Sequence, residues 1–167
     1  MMTRELRVLG LDPGSAHTGW GLVEFAGSSL RARGWGRVSP PRAALGERLA
    51  FIVDAVQRII GEQRPDLVAL ERVFHGKNAR SLIVLAEARG AILAAVARSG
   101  IRIAEVTPAM VKNVVTGDGR ADKRRVERMI RLQLGLGTAA LPVDASDALA
   151  IAIAGRQISS AAPSSAP

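Results

Sequence analysis

Four carboxylates in this chain stand where acids can do chemistry: Asp12, Glu71, Asp144 and Asp147. Asp12 ends a short apolar run that starts at Arg7, just before Pro13-Gly14-Ser15 breaks the chain. Glu71 ends a second apolar run, Leu67-Val-Ala-Leu70. Asp144 and Asp147 are three apart at the start of a helical pattern, so they share one face. If the two runs are neighbouring strands, Asp12 and Glu71 end side by side, and a helix start laid over them gathers four carboxyls. Such a cluster repels itself unless cations neutralise it. Two divalent ions about 4 Å apart would do so, and could hold the attacking and leaving oxygens of a phosphodiester displacement. Each acid alone has a plainer use. Asp12 could shape the Asp-Pro-Gly turn, and Glu71 could pair with Arg72 or Arg89. Asp144 could cap its helix, with Asp147 in the first turn where the helix dipole favours acids. The four persuade jointly, not singly.

The elements that must position these acids follow from periodicity and breakers. Residues 7–12, 18–24 and 30–38 read as three strands of an antiparallel meander, the third thinned by Gly34 and Gly36. A helix starts near Leu45, carries Leu49, Ile52, Val53, Val56, Ile59 and Ile60 at helical spacing, and is expected to stop at Gly61. Residues 66–71 form a fourth strand, apolar on both faces as in a buried sheet centre. A helix over 78–98, a strand over 101–106 and a short helix from Thr107-Pro108 to about residue 115 follow. Helices over about 122–134 and 145–158 complete the chain. Residues 159–167 are Ser, Ala and Pro only and are expected to be a disordered tail after a single domain over 1–158. The order β-β-β-α-β-α-β-α-α-α predicts an α/β architecture, one mixed five-stranded sheet with helices on both faces. That order is compatible with the ribonuclease-H-like fold.

Composition narrows the chemistry. A chain of 167 residues with 48% apolar residues can bury a substantial core as one domain. There is no cysteine, which excludes disulfides, thiolate metal sites and cysteine nucleophiles. His17 and His75 are the only histidines, so a His-rich zinc site is excluded as well. Any metal must sit on carboxylates, and oxygen ligands favour Mg²⁺ or Mn²⁺. No apolar run approaches the roughly 20 residues that span a bilayer. The start of the chain lacks a signal-peptide pattern, so no membrane association and a cytoplasmic location are expected. The net charge is +8, and its distribution matters more than its size. Residues 72–131 hold thirteen Lys/Arg against five Asp/Glu, while the remainder is balanced. A bias toward Arg, 20 against 3 Lys, would scatter charge along the chain rather than gather it. A basic zone on an otherwise neutral protein is the footprint of a polyanion binder.

Within that block, the stretch 122–131 is an amphipathic helix with Val126, Met129 and Ile130 inward and a surplus of basic groups available for phosphates. Lys77, Arg80, Lys112, Arg120, Lys123, Arg124 and Arg125 are its candidate DNA contacts. Phe74 lies in a loop of a chain with only three Phe, two Trp and no Tyr, where it suits a base-stacking platform. Phe25 and Phe51 read as core, and Trp20 and Trp35 as strand packing. His75 reads as a surface residue, while His17 lies in the first turn near the acids. The helix over 78–98 has an apolar stripe wider than one core face needs, which suits either a partner helix in a dimer or two-sided core packing.

Beyond these single residues, whole blocks match a known family. Leu9-Gly-Leu-Asp-Pro-Gly-Ser15 with Thr18-Gly-Trp-Gly21 resembles the opening strand and turn of the RuvC family of Holliday-junction resolvases. Glu71-Arg-Val-Phe74, Lys77-Asn-Ala79 and Glu87-Ala-Arg-Gly90 resemble its second block. Pro108-Ala-Met-Val-Lys112, Gly117-Asp-Gly119, Lys123 and the stretch from Asp144 through Asp147 to Ala152 resemble the rest, in order, from about residue 7 to 155. The resemblance implies a homodimeric, metal-dependent endonuclease that cuts two strands of a four-way junction symmetrically, with two Mg²⁺ or Mn²⁺ ions per site. It implies that Asp12, Glu71, Asp144 and Asp147 bind metal, that Lys112 and Lys123 lie near the cleaved phosphate, and that Phe74 stacks on an unpaired base. RuvA/RuvB branch-migration proteins are implied as partners. Two rivals stand beside it: an actin-like ATPase or sugar kinase, whose phosphate hairpin Asp-Pro-Gly-Ser-x-x-Thr-Gly resembles, and a catalytically idle nucleic-acid-binding relative.

Overall fold

The apolar run that ends in Asp12 forms β1 (Leu6–Asp12), and its alternation serves both faces of a sheet. Val8 enters one buried cluster while Leu9 and Leu11 enter another, as a central strand covered on both sides requires. The computed structural model describes residues 5–73 and 78–161. In it β1 pairs antiparallel with β2 (Thr18–Ala26), which pairs antiparallel with β3 (Ser29–Val38). On its other edge β1 pairs parallel with β4 (Leu67–Glu71), and β4 pairs parallel with β5 (Arg102–Val106). The sheet order is β3-β2-β1-β4-β5, the mixed five-stranded α/β arrangement expected from the element order.

Helices α1 (Leu45–Gln63) and α2 (Ala79–Arg98) cover the face of Leu9 and Leu11 through Ile52, Val56, Ile92 and Val96. Helices α3 (Pro108–Thr116), α4 (Lys123–Gln133) and α5 (Val143–Ala161) cover the face of Val8. Three helix starts carry side-chain caps: Asn78 accepts from Ser81 N–H at 2.9 Å, Thr107 from Met110 N–H at 3.2 Å, and Asp122 from Arg125 N–H at 2.8 Å.

Helix α5 lies directly on the strand backbones. A Cβ at Gly10 would fall 1.9 Å from the Ala148 carbonyl oxygen, and one at Gly19 would fall 2.0 Å from that of Asp144. No side chain fits at either position, and this absence lets the helix start reach the end of β1. Small residues on the other partner help: Ala145, Ala148 and Ala152 of α5 are fully buried.

Some expectations need correction. Helix α1 does not stop at Gly61 but runs to Gln63, where Arg64 takes the left-handed conformation (φ 46°) and donates its N–H to Ile60 O at 2.9 Å. A helical glycine costs only about 1 kcal/mol, so Gly61 alone does not end the helix. Helix α5 runs to Ala161, past the end expected at residue 158, and residues 159–161 are Ser, Ser and Ala, none of which forbids helix. Phe51 is 43% exposed and is not core, whereas Phe25 is buried. Trp20 and Trp35 do pack against the sheet clusters, and the Trp35 indole donates to Ala140 O at 3.1 Å. Among the described residues no helix is long and apolar enough to cross a membrane.

Candidate active site

The period of two in a strand decides which way the first two acids face. Val8, Gly10 and Asp12 share the α5 side of β1, and Leu67, Ala69 and Glu71 share the α5 side of β4. Leu11 pairs with Leu70 in parallel register, so Asp12 and Glu71 follow at the matching step on neighbouring strand ends. The close seat of α5 then brings Asp144 and Asp147 over them. Asp12, Glu71 and Asp147 line one cavity of about 290 Å³ with Lys112, Lys123 and Pro108. Asp12 also borders two adjoining hollows. One of about 520 Å³ runs between the 13–17 turn and the start of α2, lined by Asp144, His17, Arg80, Ser81 and Leu85. The other, about 140 Å³, lies beside Glu71, Arg72, Leu85 and Pro108. Together they make a groove that crosses the acids.

Crowding of like charge marks the electrostatics. Burial first, then Asp147, Glu71 and Asp144, push the Asp12 carboxyl up from 3.8 to about 7, against a smaller opposing effect of Lys123. Burial and then Asp147 also raise Glu71, opposed by Lys123 and Lys112. Lys123 is held protonated above its ordinary range, chiefly by its hydrogen bond to Asp147, with Nζ 3.0 Å from Oδ2. The Arg37 guanidinium stands 3.7 Å from Asp144 Oδ2. Asp147 and Asp144 are thus each paired with a cation, and among the described residues no three carboxyls converge on one point that would hold an ion. The donor set, all carboxylate oxygen and mutually repelling, is still that of a hard divalent cation.

Two of the plainer uses, the Glu71 ion pair and the Asp144 cap, are not the ones observed. Arg72 and Arg89 both pair with Glu105 rather than with the Glu71 carboxyl. Asp144 lies inside the first turn of α5 rather than at its cap. The turn after Asp12 has its own support: the fully buried Thr18 donates its hydroxyl to Gly14 O at 2.9 Å, and Arg48 reaches Ser15 O at 3.3 Å.

The family profile described as "Crossover junction endodeoxyribonuclease RuvC" matches residues 8–155. The chain belongs to the RuvC family. A RuvC from Chloroflexus aurantiacus is 45% identical over 149 residues, covering 89% of this chain and 91% of that one. The Thermus thermophilus RuvC solved in complex with a Holliday junction substrate superposes with a TM-score of 0.83 at 33% identity, covering 89% of this chain and 92% of that chain. The yeast mitochondrial Holliday junction resolvase shares the fold, at TM-score 0.67 and 12% identity, over 96% of this chain and 85% of that chain. Membership over this span removes the ATPase or sugar-kinase alternative.

The RuvC groove gathers some of the predicted basic residues and not others. Lys112 and Lys123 line the acidic cavity, and Arg80 lines the hollow beside Asp144. Arg124 and Arg125 instead border a separate hollow on α4, together with Arg128. Arg120 is exposed in the turn before α4, where its N–H reaches Asp118 Oδ1 at 2.9 Å, and Arg125 pairs with the same side chain at 3.4 Å. Phe74, His75 and Lys77 lie outside the described residues. His17 borders the groove but its Nδ1 sits 2.9 Å from Ser39 Oγ, facing the end of β3 rather than the acids. Arg37 was not anticipated. The signal for it was the strand register: Asp12 pairs with Gly19, and Gly19 with Arg37.

Proposed function

We propose that this protein resolves four-way DNA junctions, hydrolysing two strands symmetrically at the pocket of Asp12, Glu71, Asp144 and Asp147, in recombination and repair. The observation that carries the reading is the meeting of Asp12, Glu71 and Asp147 with Lys112 and Lys123 in one cavity under the start of α5, where burial and the neighbouring acids push the Asp12 carboxyl up to about 7. A divalent cation is the ligand that carboxyls with no histidine or cysteine among them would select. Mg²⁺ fits, Mn²⁺ would serve as well, and two ions per site match four acids. Bound there, the ions would polarise the scissile phosphodiester and stabilise charge on its attacking and leaving oxygens.

The remaining steps fall to the chain's own side chains. Asp12 and Glu71 supply fixed oxygens from strand ends, and Asp144 and Asp147 supply oxygens from the first two turns of α5. Lys123, released from Asp147, and Lys112 are then free to meet the phosphate of the cleaved strand. Arg80 lies along the groove where a neighbouring phosphate would run. Arg120, Arg124 and Arg125, away from the acids, suit a second stretch of backbone such as another junction arm. Phe74 and Lys77 follow Glu71 closely in sequence, a position suited to opening and holding the strand at the junction centre. The Thermus thermophilus relative, solved on a Holliday junction substrate, supports the same substrate here.

Symmetric cutting requires two active sites, so the working unit is a homodimer. Ile83, 59% exposed on the apolar half of α2, suits a surface covered by a second copy. The catalytic unit is a single domain whose last element is α5, the setting is the cytoplasm, and RuvA/RuvB motor proteins would deliver the junction. The deciding experiment compares cleavage of a four-way junction and a linear duplex of the same sequence in Mg²⁺. Junction-selective paired nicks are expected, and Asp12→Asn should abolish them while leaving junction affinity intact. Equal cutting of both substrates, or an active Asp12→Asn, refutes the reading.

A further inference from the structure

Glu71 is the last residue of β4, and nothing in a strand end by itself fixes where its carboxyl points. The chain leaves the sheet immediately afterwards, at Arg72 and Val73. Its position is nevertheless braced from outside the strand. Arg89, eighteen residues on and half-way along α2, donates its Nε–H to the Glu71 carbonyl oxygen at 2.9 Å. The Nη2 end of the same guanidinium pairs with Glu105 of β5. Arg72 closes the bracket from the other side, with Nε 3.7 Å from the same Glu105 oxygen and its N–H bonded to Val106 O at 2.8 Å. The Arg89 side chain is only 15% exposed. Leu85, one turn earlier on the same face of α2, borders both hollows that adjoin Asp12.

We infer that Arg89, held by Glu105, is a positioning residue for Glu71, fixing the peptide from which this acid reaches into the site. The geometry requires arginine. A planar guanidinium donates in two fixed directions at once, here to a main-chain carbonyl and to a carboxylate, whereas a lysine ammonium is a point charge on a flexible stem. Groups that hold a ligand in place, without touching the metal, typically contribute about 10–100-fold to metal affinity. Arg89 lines none of the three hollows beside Asp12 and bonds the main chain of Glu71 rather than its carboxyl, so its effect must pass through the Glu71 peptide.

This inference rests on the metal-site reading above, and one set of measurements separates the two. Mn²⁺ binding to the DNA-free protein is followed by the loss of the free-ion electron paramagnetic resonance signal, for the wild type, Asp12→Asn, Arg89→Lys, Glu105→Gln and the double variant Arg89→Lys/Glu105→Gln. Arg89→Lys should weaken Mn²⁺ binding about tenfold, Glu105→Gln should weaken it several-fold, and the double variant should be no worse than Arg89→Lys. Junction affinity in EDTA should stay within about twofold throughout, a pattern that mere loss of stability does not produce. If Asp12→Asn binds Mn²⁺ as the wild type does, the acid cluster is not the metal site and both readings fall. If Asp12→Asn weakens binding but Arg89→Lys does not, the Arg89 proposal alone is overturned. Should Arg89→Lys fail to fold, unchanged binding in the half-exposed Glu105→Gln overturns it instead.

Discussion

Replacing Asp12 with asparagine should stabilise the metal-free protein, and the gain should grow with pH in a way that identifies its cause. The Asp12 carboxyl is raised from 3.8 to about 7, chiefly by burial and then by Asp147, Glu71 and Asp144. Between these two values the unfolded chain has released the proton and the folded chain still holds it, so stability falls as pH rises. The loss begins near the unfolded value and is complete above the folded one. A shift of about 3 units at 1.36 kcal/mol each corresponds to about 4 kcal/mol at full ionisation. Near pH 5 only about 1–2 kcal/mol of that has accrued. Asparagine has nearly the same shape and no proton to lose, so its advantage should widen by about 3 kcal/mol between about pH 5 and pH 8.5. Urea denaturation of both proteins in EDTA at the two pH values measures this directly. In thermal melts the widening would be roughly 6–12 °C for a chain of this size. Saturating Mg²⁺ should narrow the gap at high pH, since an ion that binds only the folded wild type stabilises it by mass action. A difference between the two proteins that is the same at both pH values would refute the electrostatic argument, and a wild type more stable at pH 8.5 would reverse it.

Gly10→Ala places a methyl 1.9 Å from the Ala148 carbonyl oxygen, so α5 must lift from the sheet. A loss of about 3 kcal/mol or more is expected by urea titration, and any protein that remains folded should bind Mn²⁺ more weakly. Phe74→Ala should slow junction cleavage by tens of fold, because stacking on an aromatic ring is worth about 1–3 kcal/mol per base. A junction with unpaired bases built in beside the cut should recover much of that rate, and an unrescued loss accompanied by a lower melting temperature would make Phe74 a core residue instead. Sedimentation equilibrium at micromolar concentration should give about twice the 17.6 kDa chain mass, and Ile83→Glu should halve it; a monomer that still makes paired cuts contradicts the dimer.

Much of this site is legible in the sequence because its logic is periodic. Asp12 and Glu71 each close a strand, so the face each acid takes is fixed by counting back in twos to Val8 and Leu67. Asp144 and Asp147 needed only the spacing of a helix turn. What periodicity cannot convey is how far one element sits from the next. By pattern Gly34 and Gly36 thin β3, yet a Cβ at either would meet the Trp20 ring at 3.2 or 2.8 Å, so they make room for that indole. Arg37 was invisible for a related reason. It belongs to the site through two successive strand pairings, Asp12 with Gly19 and Gly19 with Arg37, and the second depends on a bulge between Leu22 and Val23 that no residue pattern announces.

The same distinction explains why the acids can stay together. Four carboxyls do not gather on their own; here burial and the neighbouring acids push Asp12 up to about 7 and raise Glu71 as well. They are held because α5 is anchored elsewhere, by Leu149, Ile151 and Ile153 in the buried cluster and by helix backbone seated on Gly10 and Gly19. Apolar burial of about 25 cal/mol per Å² over three such side chains is worth several kcal/mol, comparable with the repulsion it opposes. Lys123 and Arg37 reduce that repulsion from the rim, and both are partly exposed and free to turn toward a phosphate. The sheet and α5 therefore fix the charges that must not move, while the cations that balance them are placed on side chains that can.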